Sequence, residues 1–305
     1  MLRKVIPRQQ LATWLENSCR QQSTAVPFAA AASTVAHREV PKIAWTQDKA
    51  HEIQEQLLEA EEPAVLTGAL TRWPLLKWTW KDLRKLGDVV VPMEISWHGS
   101  DYRDLFRTHT SMTDPEPPQL KKYETDVELP LFYLLDHITQ KEEGKNSASP
   151  AAGRGKAVKM YLAQKDIKDV LPQLQQELAP LPLQEAQTRL YRQSVWLGPQ
   201  GTVTPLHRDP YSNLFAQILG AKRIQLVHPS QTGMVQPFAS PLVLRNTSEI
   251  DMEEVDARCA EDGGGGDVRP WEVTLRPGEM LYIPKSWWHH IHAVEPSFSV
   301  SCWWP

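Results

Sequence analysis

The stretch TPLHRDPYSN, residues 204–213, carries a histidine and an aspartate two positions apart between two prolines. It leads directly into the apolar run LFAQILGAKRIQLV, residues 214–227. Side chains at positions i and i+2 of a strand point to the same face, so His207 and Asp209 converge while Arg208 faces away. An imidazole and a carboxylate placed in this way are two of the three ligands of a 2-His-1-carboxylate iron site. A buried histidine oriented by an aspartate is the alternative interpretation.

A third ligand is available near the end of the chain, in YIPKSWWHHIHAVEPSFSVS, residues 282–301. His289, His290 and His292 are the candidates. In a strand His290 and His292 share one face, while His289 faces the other. The spacing alone does not choose among them, and a cluster of surface histidines is the alternative. The preceding LRPGEMLYIP, residues 275–284, predicts a tight turn that leads into an apolar strand.

Short runs with a β-strand composition fill the second half of the chain and are separated by Gly, Pro and Asn. Examples are YRQSVWLG (191–198), WEVTLRPG (271–278) and FSVSCWW (298–304). Several short strands at this spacing predict a sandwich or barrel. Helical patterns fall before about residue 189, at residues 129–144 and 167–178 among others. We therefore expect a mainly β protein with flanking helices, forming one domain.

Composition limits the classes of partner. The 305 residues are enough for a large core, and 41% of them are hydrophobic. The net charge of −4 provides no basic excess to neutralise phosphates, so direct binding to nucleic acid is not expected. The 3 cysteines are odd in number and far apart, which indicates a reducing compartment. No apolar run approaches the length of a membrane span, so no membrane partner is expected.

Residues 1–37 are rich in Arg, Gln, Ser and Ala. A helix there would place Leu11, Trp14 and Leu15 on one face, with arginines around it. This composition is typical of a mitochondrial presequence, and an ordinary helix followed by a flexible linker is the alternative. We expect an intracellular protein of the nucleus or cytoplasm, with the mitochondrion as the alternative.

Three segments together resemble the Jumonji-C (JmjC) oxygenases: residues 198–233, residues 275–304 and MYLAQ, residues 160–164. The HxD motif, the Asn and Lys after it, and the ending IP..WWH...A...SFSVS.WW occur in the same order and alignment as in that family. The resemblance covers roughly residues 38–305. It implies a double-stranded β-helix, that is, a cupin-like jelly-roll, with a helical and strand-containing part at 38–188 and the jelly-roll core at 189–305.

The resemblance also implies the cofactors and the third metal ligand. Members of this family bind Fe(II) and use 2-oxoglutarate and O2 as cosubstrates. The family histidine directly follows the aromatic residue of the IP..WWH run, which corresponds to His289 here. Together with His207 and Asp209 it would hold the iron at the mouth of the barrel, and His290 and His292 would then face outward.

The cosubstrate pocket is carried over residue by residue from the same resemblance. Lys222 corresponds to the lysine that pairs with the distal carboxylate of 2-oxoglutarate, a role that suits an ammonium group. Tyr161, Thr204 and Asn213 would add hydrogen bonds, and Trp303 would line the pocket. A solvated lysine at a strand end is the alternative for Lys222, and core packing is the alternative for Trp303.

The resembling branch of the family comprises arginyl hydroxylases, which are also described as lysine demethylases. Glu94, Trp196 and Gln164 match positions that hold a substrate guanidinium, which prefers a carboxylate and a flat aromatic face. A solvent-facing glutamate and a core tryptophan are the alternatives. The expected partner is a protein or peptide that carries arginine or methyl-lysine.

Three functions follow from this resemblance: an arginine hydroxylase, a histone N-methyl-lysine demethylase, or a non-catalytic cupin-like binding module. The three metal ligands and Lys222 are all present, which argues against the last. Because the chain ends at the Trp-Trp-Pro of its last strand, a monomer is slightly favoured.

Overall fold

The structure, a computed structural model, describes residues 37–97, 103, 123–142, 158–238, 244–253, 268 and 270–305. The segment 1–36, on which the targeting hypothesis depends, lies outside the described residues. Two compact units contain them: one is Trp80–Ala163, and the other combines residues 37–79 with Gln164–Pro305. We call these the smaller and the larger unit. Within the described part of the chain, no helix is both long and apolar enough to cross a bilayer.

Strands predominate over helices. In chain order the strands are β1 (Arg38–Glu39), β2 (Lys42–Ala44), β3 (Ala64–Thr67), β4 (Val90–Trp97), β5 (Tyr123–Pro130), β6 (Val158–Asp166), β7 (Arg192–Gly198), β8 (Val203–Arg208), β9 (Ser212–Leu219), β10 (Lys222–Val227), β11 (Trp271–Leu275), β12 (Glu279–Ile283), β13 (Trp288–Ala293) and β14 (Ser297–Trp304). The α-helices are α1 (Ala50–Ala60), α2 (Trp80–Arg84), α3 (Leu131–Glu142), α4 (Ile167–Val170) and α5 (Gln184–Thr188). Short 3-10 helices cover Gln47–Lys49, Pro74–Lys77, Pro172–Glu177 and Pro229–Gln231.

The larger unit contains two sheets. One has the strand order β1-β11-β10-β13-β8, and the other has the order β2-β3-β12-β9-β14-β7. Strand β14 lies between β9 and β7, and all eight of its residues are buried. A strand buried on both faces needs a covering layer on each side, which explains its continuous run of apolar and small polar residues. The mainly β jelly-roll prediction is confirmed.

The pairing of β13 with its neighbours places the histidine-rich stretch in the first sheet. His289 pairs with Leu226 of β10 on one side and with His207 of β8 on the other. Four residues further along the same two strands, Lys222 pairs with Ala293. Because side chains alternate along a strand, His289 and Lys222 both project from the same face of this sheet.

The prediction that His290 faces outward needs correction, because its side chain is only 3% exposed. It pairs with Gln225, which is buried too. Alternation places Trp288 and Val227 on the same face, and both belong to a separate buried cluster that includes Met252. Chain segments after β10 therefore cover this face of the sheet, which the strand pattern alone does not indicate.

The smaller unit has the strand order β6-β4-β5 and the helices α2 and α3. Helix α3 confirms the helix predicted within residues 129–144. Its first turn is anchored where Leu131 N–H donates to Val89 O at 2.9 Å and Phe132 N–H donates to Gly87 O at 2.9 Å. Strand β5 was not predicted, because its sequence YETDVELP is rich in acids that β-propensity disfavours.

The single helix predicted over residues 167–178 is wrong. Helix α4 ends at Val170, Leu171 has φ −139° and ψ 59°, and a separate 3-10 helix begins at Pro172. A residue that precedes proline is disfavoured in the α region, because the proline ring collides with its backbone. Pro172 therefore divides what the apolar periodicity presents as one helix.

Gly220 makes the turn between β9 and β10 possible. Its φ is +63°, which side chains disfavour, and a Cβ at this position would lie 1.8 Å from the carbonyl oxygen of Pro296. Only glycine fits both constraints. The turn fixes the start of β10, and with it the position of Lys222.

Candidate metal centre

Three side chains converge at one point in the larger unit. His207 lies near the end of β8, Asp209 follows that strand, and His289 lies on β13 opposite His207. The two imidazole ring centroids are 4.2 Å apart, and His289 Nε2 lies 3.8 Å from Asp209 Oδ2. One ligand atom from each residue lies within 4.8 Å of the others, and no other such group occurs among the described residues. The three groups can share one metal ion.

The hydrogen bonds of the two histidines orient them for metal binding. The Nδ1 of His207 lies 2.8 Å from the carbonyl oxygen of Pro205, and the Nδ1 of His289 lies 3.0 Å from that of Trp287. A carbonyl only accepts, so each Nδ1 carries the proton and donates it. The lone pair is thereby placed on Nε2, as in most metal-binding histidines.

Burial makes His289 a neutral ligand. Desolvation, reinforced by the neighbouring His207, lowers the pKa of His289 to about 4. The imidazole is therefore uncharged near neutral pH, which is the form that binds metals. Two imidazoles and one carboxylate match the facial triad of non-haem Fe(II) sites, which leaves coordination positions open. The residues present therefore fit Fe(II).

Lys222, predicted to bind a cosubstrate carboxylate, is deeply buried in the same unit. It is 2% exposed, and its Nζ lies 5.2 Å from the centroid of the Phe215 ring. Desolvation lowers the pKa of its ammonium group to about 7. Lys222 pairs with Ala293, which is four residues along β13 from His289. Four residues of a strand correspond to a distance of about 13 Å. A lysine side chain and a five-carbon dicarboxylate can together span that distance.

The other predicted cosubstrate residues of the larger unit are buried as well. Thr204 is 8% exposed and Asn213 is 3% exposed. The Asn213 side chain joins β9 to β14: its Oδ1 accepts from Cys302 N at 3.2 Å, and its Nδ2 donates to Ser301 Oγ at 3.5 Å. Asn213 therefore has a structural role besides its predicted one. The burial of Lys222 excludes the alternative of a solvated lysine at a strand end.

Trp303 makes a contact that the sequence does not indicate. Its indole N–H donates to Asp209 Oδ2 at 3.1 Å, so a residue predicted to line the cosubstrate pocket also contacts a metal ligand. The two residues are 94 positions apart, and no local motif joins them. Ser301 was missed for the same reason, although its hydroxyl accepts from Trp196 Nε1 at 2.8 Å.

The residues predicted to bind substrate fall in both units. In the smaller unit the half-buried Glu94 is the strand partner of the buried Tyr161. In the larger unit Trp196 is 7% exposed, and its ring meets that of Trp303 edge-on, with centroids 6.3 Å apart. Gln164 is exposed and has φ 52°. That these residues surround one substrate side chain stays a prediction.

Comparison with known proteins identifies similar sequences. The family model of the cupin-like domain matches residues 50–305. The chain is 32% identical to Lysine-specific demethylase 8 of Xenopus tropicalis, over 82% of this chain and 50% of that protein. It is also 32% identical to Jumonji C domain-containing protein 5 of Drosophila melanogaster, over 83% of this chain and 57% of that protein. HSPB1-associated protein 1 of Mus musculus is 26% identical, over 88% of this chain and 53% of that protein. The chain thus spans little more than half the length of these curated relatives.

Proposed function

The chain belongs to the cupin-like JmjC domain family, and from this membership we propose that it is an Fe(II)- and 2-oxoglutarate-dependent oxygenase that hydroxylates an arginine side chain of a protein. The observation that carries the proposal is the convergence of His207, Asp209 and His289 within 4.8 Å. This donor set is the one that non-haem Fe(II) oxygenases use. A binding module without activity would have no need to keep it.

The bound iron, with 2-oxoglutarate and O2, supplies the oxidising power for hydroxylation of a C–H bond. The contribution of the chain is to hold and orient. The Nδ1 protons of His207 and His289 are donated to backbone carbonyls, so each ring is oriented with its Nε2 available to the metal. Asp209 supplies the negative charge of the site. The burial of His289 excludes water from one side of the metal site.

Lys222 is proposed to bind the distal carboxylate of 2-oxoglutarate. A buried ammonium whose pKa has fallen to about 7 gains most from an anion, because the anion restores a favourable environment for its charge. Thr204, Asn213 and Tyr161 would add hydrogen bonds, as the family resemblance implies. Trp303 would close the pocket beside Asp209.

Arginine is the proposed target because a guanidinium binds best to a carboxylate combined with an aromatic face. Glu94 would supply the carboxylate and Trp196 the aromatic face, with Gln164 as an additional polar contact. The half-burial of Glu94 supports this role, since a carboxylate partly withdrawn from water pairs more strongly with a cation than an exposed one.

The test is mass spectrometry of peptide libraries incubated with the protein, Fe(II) and 2-oxoglutarate. Peptides with arginine should gain one oxygen, while matched peptides with lysine at the same position should not. Glu94→Gln keeps the shape of the side chain and removes its charge, so it should reduce arginine hydroxylation while leaving metal binding intact. Glu128→Gln, a change of another glutamate in the smaller unit, is the matched control. Oxygen gain on residues other than arginine would contradict the substrate assignment.

A second candidate is removal of methyl groups from N-methyl-lysine, since several relatives are named as lysine-specific demethylases. In that reaction the hydroxylated methyl group leaves as formaldehyde. Peptides with methyl-lysine should then lose the mass of one CH2 unit, because an N–H replaces the N-methyl group, and formaldehyde should accumulate. The absence of any 2-oxoglutarate turnover with either peptide class would favour the non-catalytic module.

A further inference from the structure

We propose that Trp303 is a positioning residue for Asp209, holding the carboxylate of this metal ligand through the indole N–H. The contact is direct, with Nε1 3.1 Å from Asp209 Oδ2. The inference rests on the metal centre of the proposed function. It assigns to Trp303 a role that neither core packing nor the lining of a cosubstrate pocket would require.

Trp303 is itself firmly held. It lies on β14 with Arg192 and Asn213 as its strand partners, and its carbonyl oxygen accepts from Tyr191 N at 2.8 Å. Its ring is 4% exposed and packs edge-on against Trp196. The direction of the indole N–H is thereby fixed before any metal binds.

Asp209 needs such a partner more than the two histidines do. It follows the end of β8, and its side chain is 16% exposed, against 4% for that of His289. Each histidine is already oriented by a backbone carbonyl. The described contacts of the Asp209 carboxylate are the one with Trp303 and the 3.8 Å approach to His289.

The hydrogen bond has two effects on the carboxylate. It restricts rotation of the group, which lowers the entropy lost when a metal binds. It also engages Oδ2, the oxygen that lies 3.8 Å from His289 Nε2, and so fixes the direction in which the carboxylate faces the candidate metal position. Partners of this kind that contact a metal ligand commonly change metal affinity by about 10- to 100-fold when removed.

The experiment measures Co2+ binding by titration calorimetry and by its absorption spectrum, without 2-oxoglutarate or substrate. Trp303→Phe keeps an aromatic ring and removes the N–H, so Co2+ affinity should fall by roughly 10- to 100-fold and the ligand-field bands should shift. Trp45→Phe is the matched control. The Trp45 indole also donates to a partner, the carbonyl oxygen of Pro182 at 3.3 Å, and that partner is no metal ligand. Co2+ affinity should be unchanged in this control.

An equal Co2+ affinity and an unchanged spectrum in folded Trp303→Phe would overturn the inference. If that variant does not fold, β-(3-benzothienyl)alanine at position 303 keeps the indole shape and replaces the N–H by sulfur. The same loss of affinity is expected of it, and unchanged affinity would again reject the role. Failure of the unaltered protein to bind Co2+ would instead reject the metal centre and the proposed function with it.

Discussion

The metal centre and the surroundings of Lys222 lie on the same face of the same sheet, and burial lowers the pKa of a basic group at each, yet the proposed roles need different forms of that group: the neutral form of His289 and the charged form of Lys222. At the metal centre, burial lowers the pKa of His289 to about 4, and a backbone carbonyl accepts the remaining N–H proton. The neutral ligand is therefore stable before the metal binds. Lys222 is as deeply buried, lies against the Phe215 ring, and has a pKa of about 7. Its ammonium form becomes favourable when an anion arrives.

This difference indicates how the two ends respond to their ligands. The metal centre has its geometry fixed in advance, so that binding requires little rearrangement. At the other end, burial disfavours the charged form of Lys222 in the ligand-free protein, and binding of a carboxylate stabilises that form. Substitutions at the two ends should consequently have opposite effects on the stability of the ligand-free protein. Replacing Lys222 by an apolar residue should raise this stability, whereas replacing a residue of the metal centre should not.

The largest effect is expected from His289→Ala. Loss of a ligand from a three-residue set should abolish detectable 2-oxoglutarate turnover and weaken Co2+ binding beyond measurement, since metal affinity depends on the ligand count. Consumption of 2-oxoglutarate and calorimetric titration measure the two outcomes. His290→Ala is the control, because His290 projects from the opposite face of β13.

Comparing the two alanine variants tests which histidine is the ligand. His290 is buried, so its replacement lowers stability, and metal affinity has to be measured below the unfolding transition of that variant. Retained Co2+ binding in His289→Ala together with lost binding in His290→Ala would mean that the wrong histidine has been assigned.

The next effect in size concerns Lys222→Met, which replaces the buried cation by an apolar chain of similar length. The Kd for 2-oxoglutarate should rise roughly 30-fold or more, because one partner of a buried charge pair is lost. The ligand-free protein should become more stable, because a buried charge is replaced by a hydrophobic side chain. Thermal unfolding with and without 2-oxoglutarate measures both. Lys49→Met, at an exposed position, should change neither.

Two of the three residues of the candidate metal centre were predictable from the sequence, and the reason is local. His207 and Asp209 are two residues apart, and a period of two is enough to place both on one face of a strand. The same rule separates His289 from His290 and His292 without choosing between them. That choice came from a family resemblance, and the pairing of β13 with β8 then placed His289 opposite His207.

Contacts between distant segments were not predictable. The hydrogen bond from Trp303 to Asp209 joins β14 to the segment that follows β8 through tertiary structure alone, and no spacing rule reaches across 94 residues. The burial of His290 depends on which segment covers the outer face of its sheet. The division of the segment 167–178 was signalled locally by Pro172, but the apolar periodicity obscured it.

A smaller effect, on stability, is expected from Gly220→Ala at the turn that leads into Lys222. The φ of +63° and the approach of the Pro296 carbonyl oxygen both oppose a side chain, so unfolding should become easier by more than about 1 kcal/mol. Denaturant unfolding measures the change. Gly233→Ala is the control, because a methyl group there would meet no atom within 4 Å and the φ of Gly233 is ordinary. Equal losses in the two variants would contradict the role of this turn.

The last effect is a pH dependence, and it separates the two ends most sharply. The pKa of Lys222 is about 7 in the folded protein and about 10.5 when it is exposed in the unfolded chain. Between pH 7 and pH 10.5 the unfolded chain binds more protons than the folded protein, because Lys222 is charged in the unfolded chain and largely neutral in the folded protein. The stability of the ligand-free protein should therefore rise with pH through this window. Lys222→Met should remove that rise, whereas His289, which titrates near pH 4, does not contribute to it.

Binding of 2-oxoglutarate should show the opposite trend. The fraction of protein with a charged Lys222 falls from about one half at pH 7 to about one tenth at pH 8, and the apparent affinity should fall about fivefold with it. Titration calorimetry in two buffers of different ionisation enthalpy should also detect uptake of a proton above pH 7. In Lys222→Met, both the proton uptake and the pH dependence should disappear. If they persist there, some group other than Lys222 binds the carboxylate.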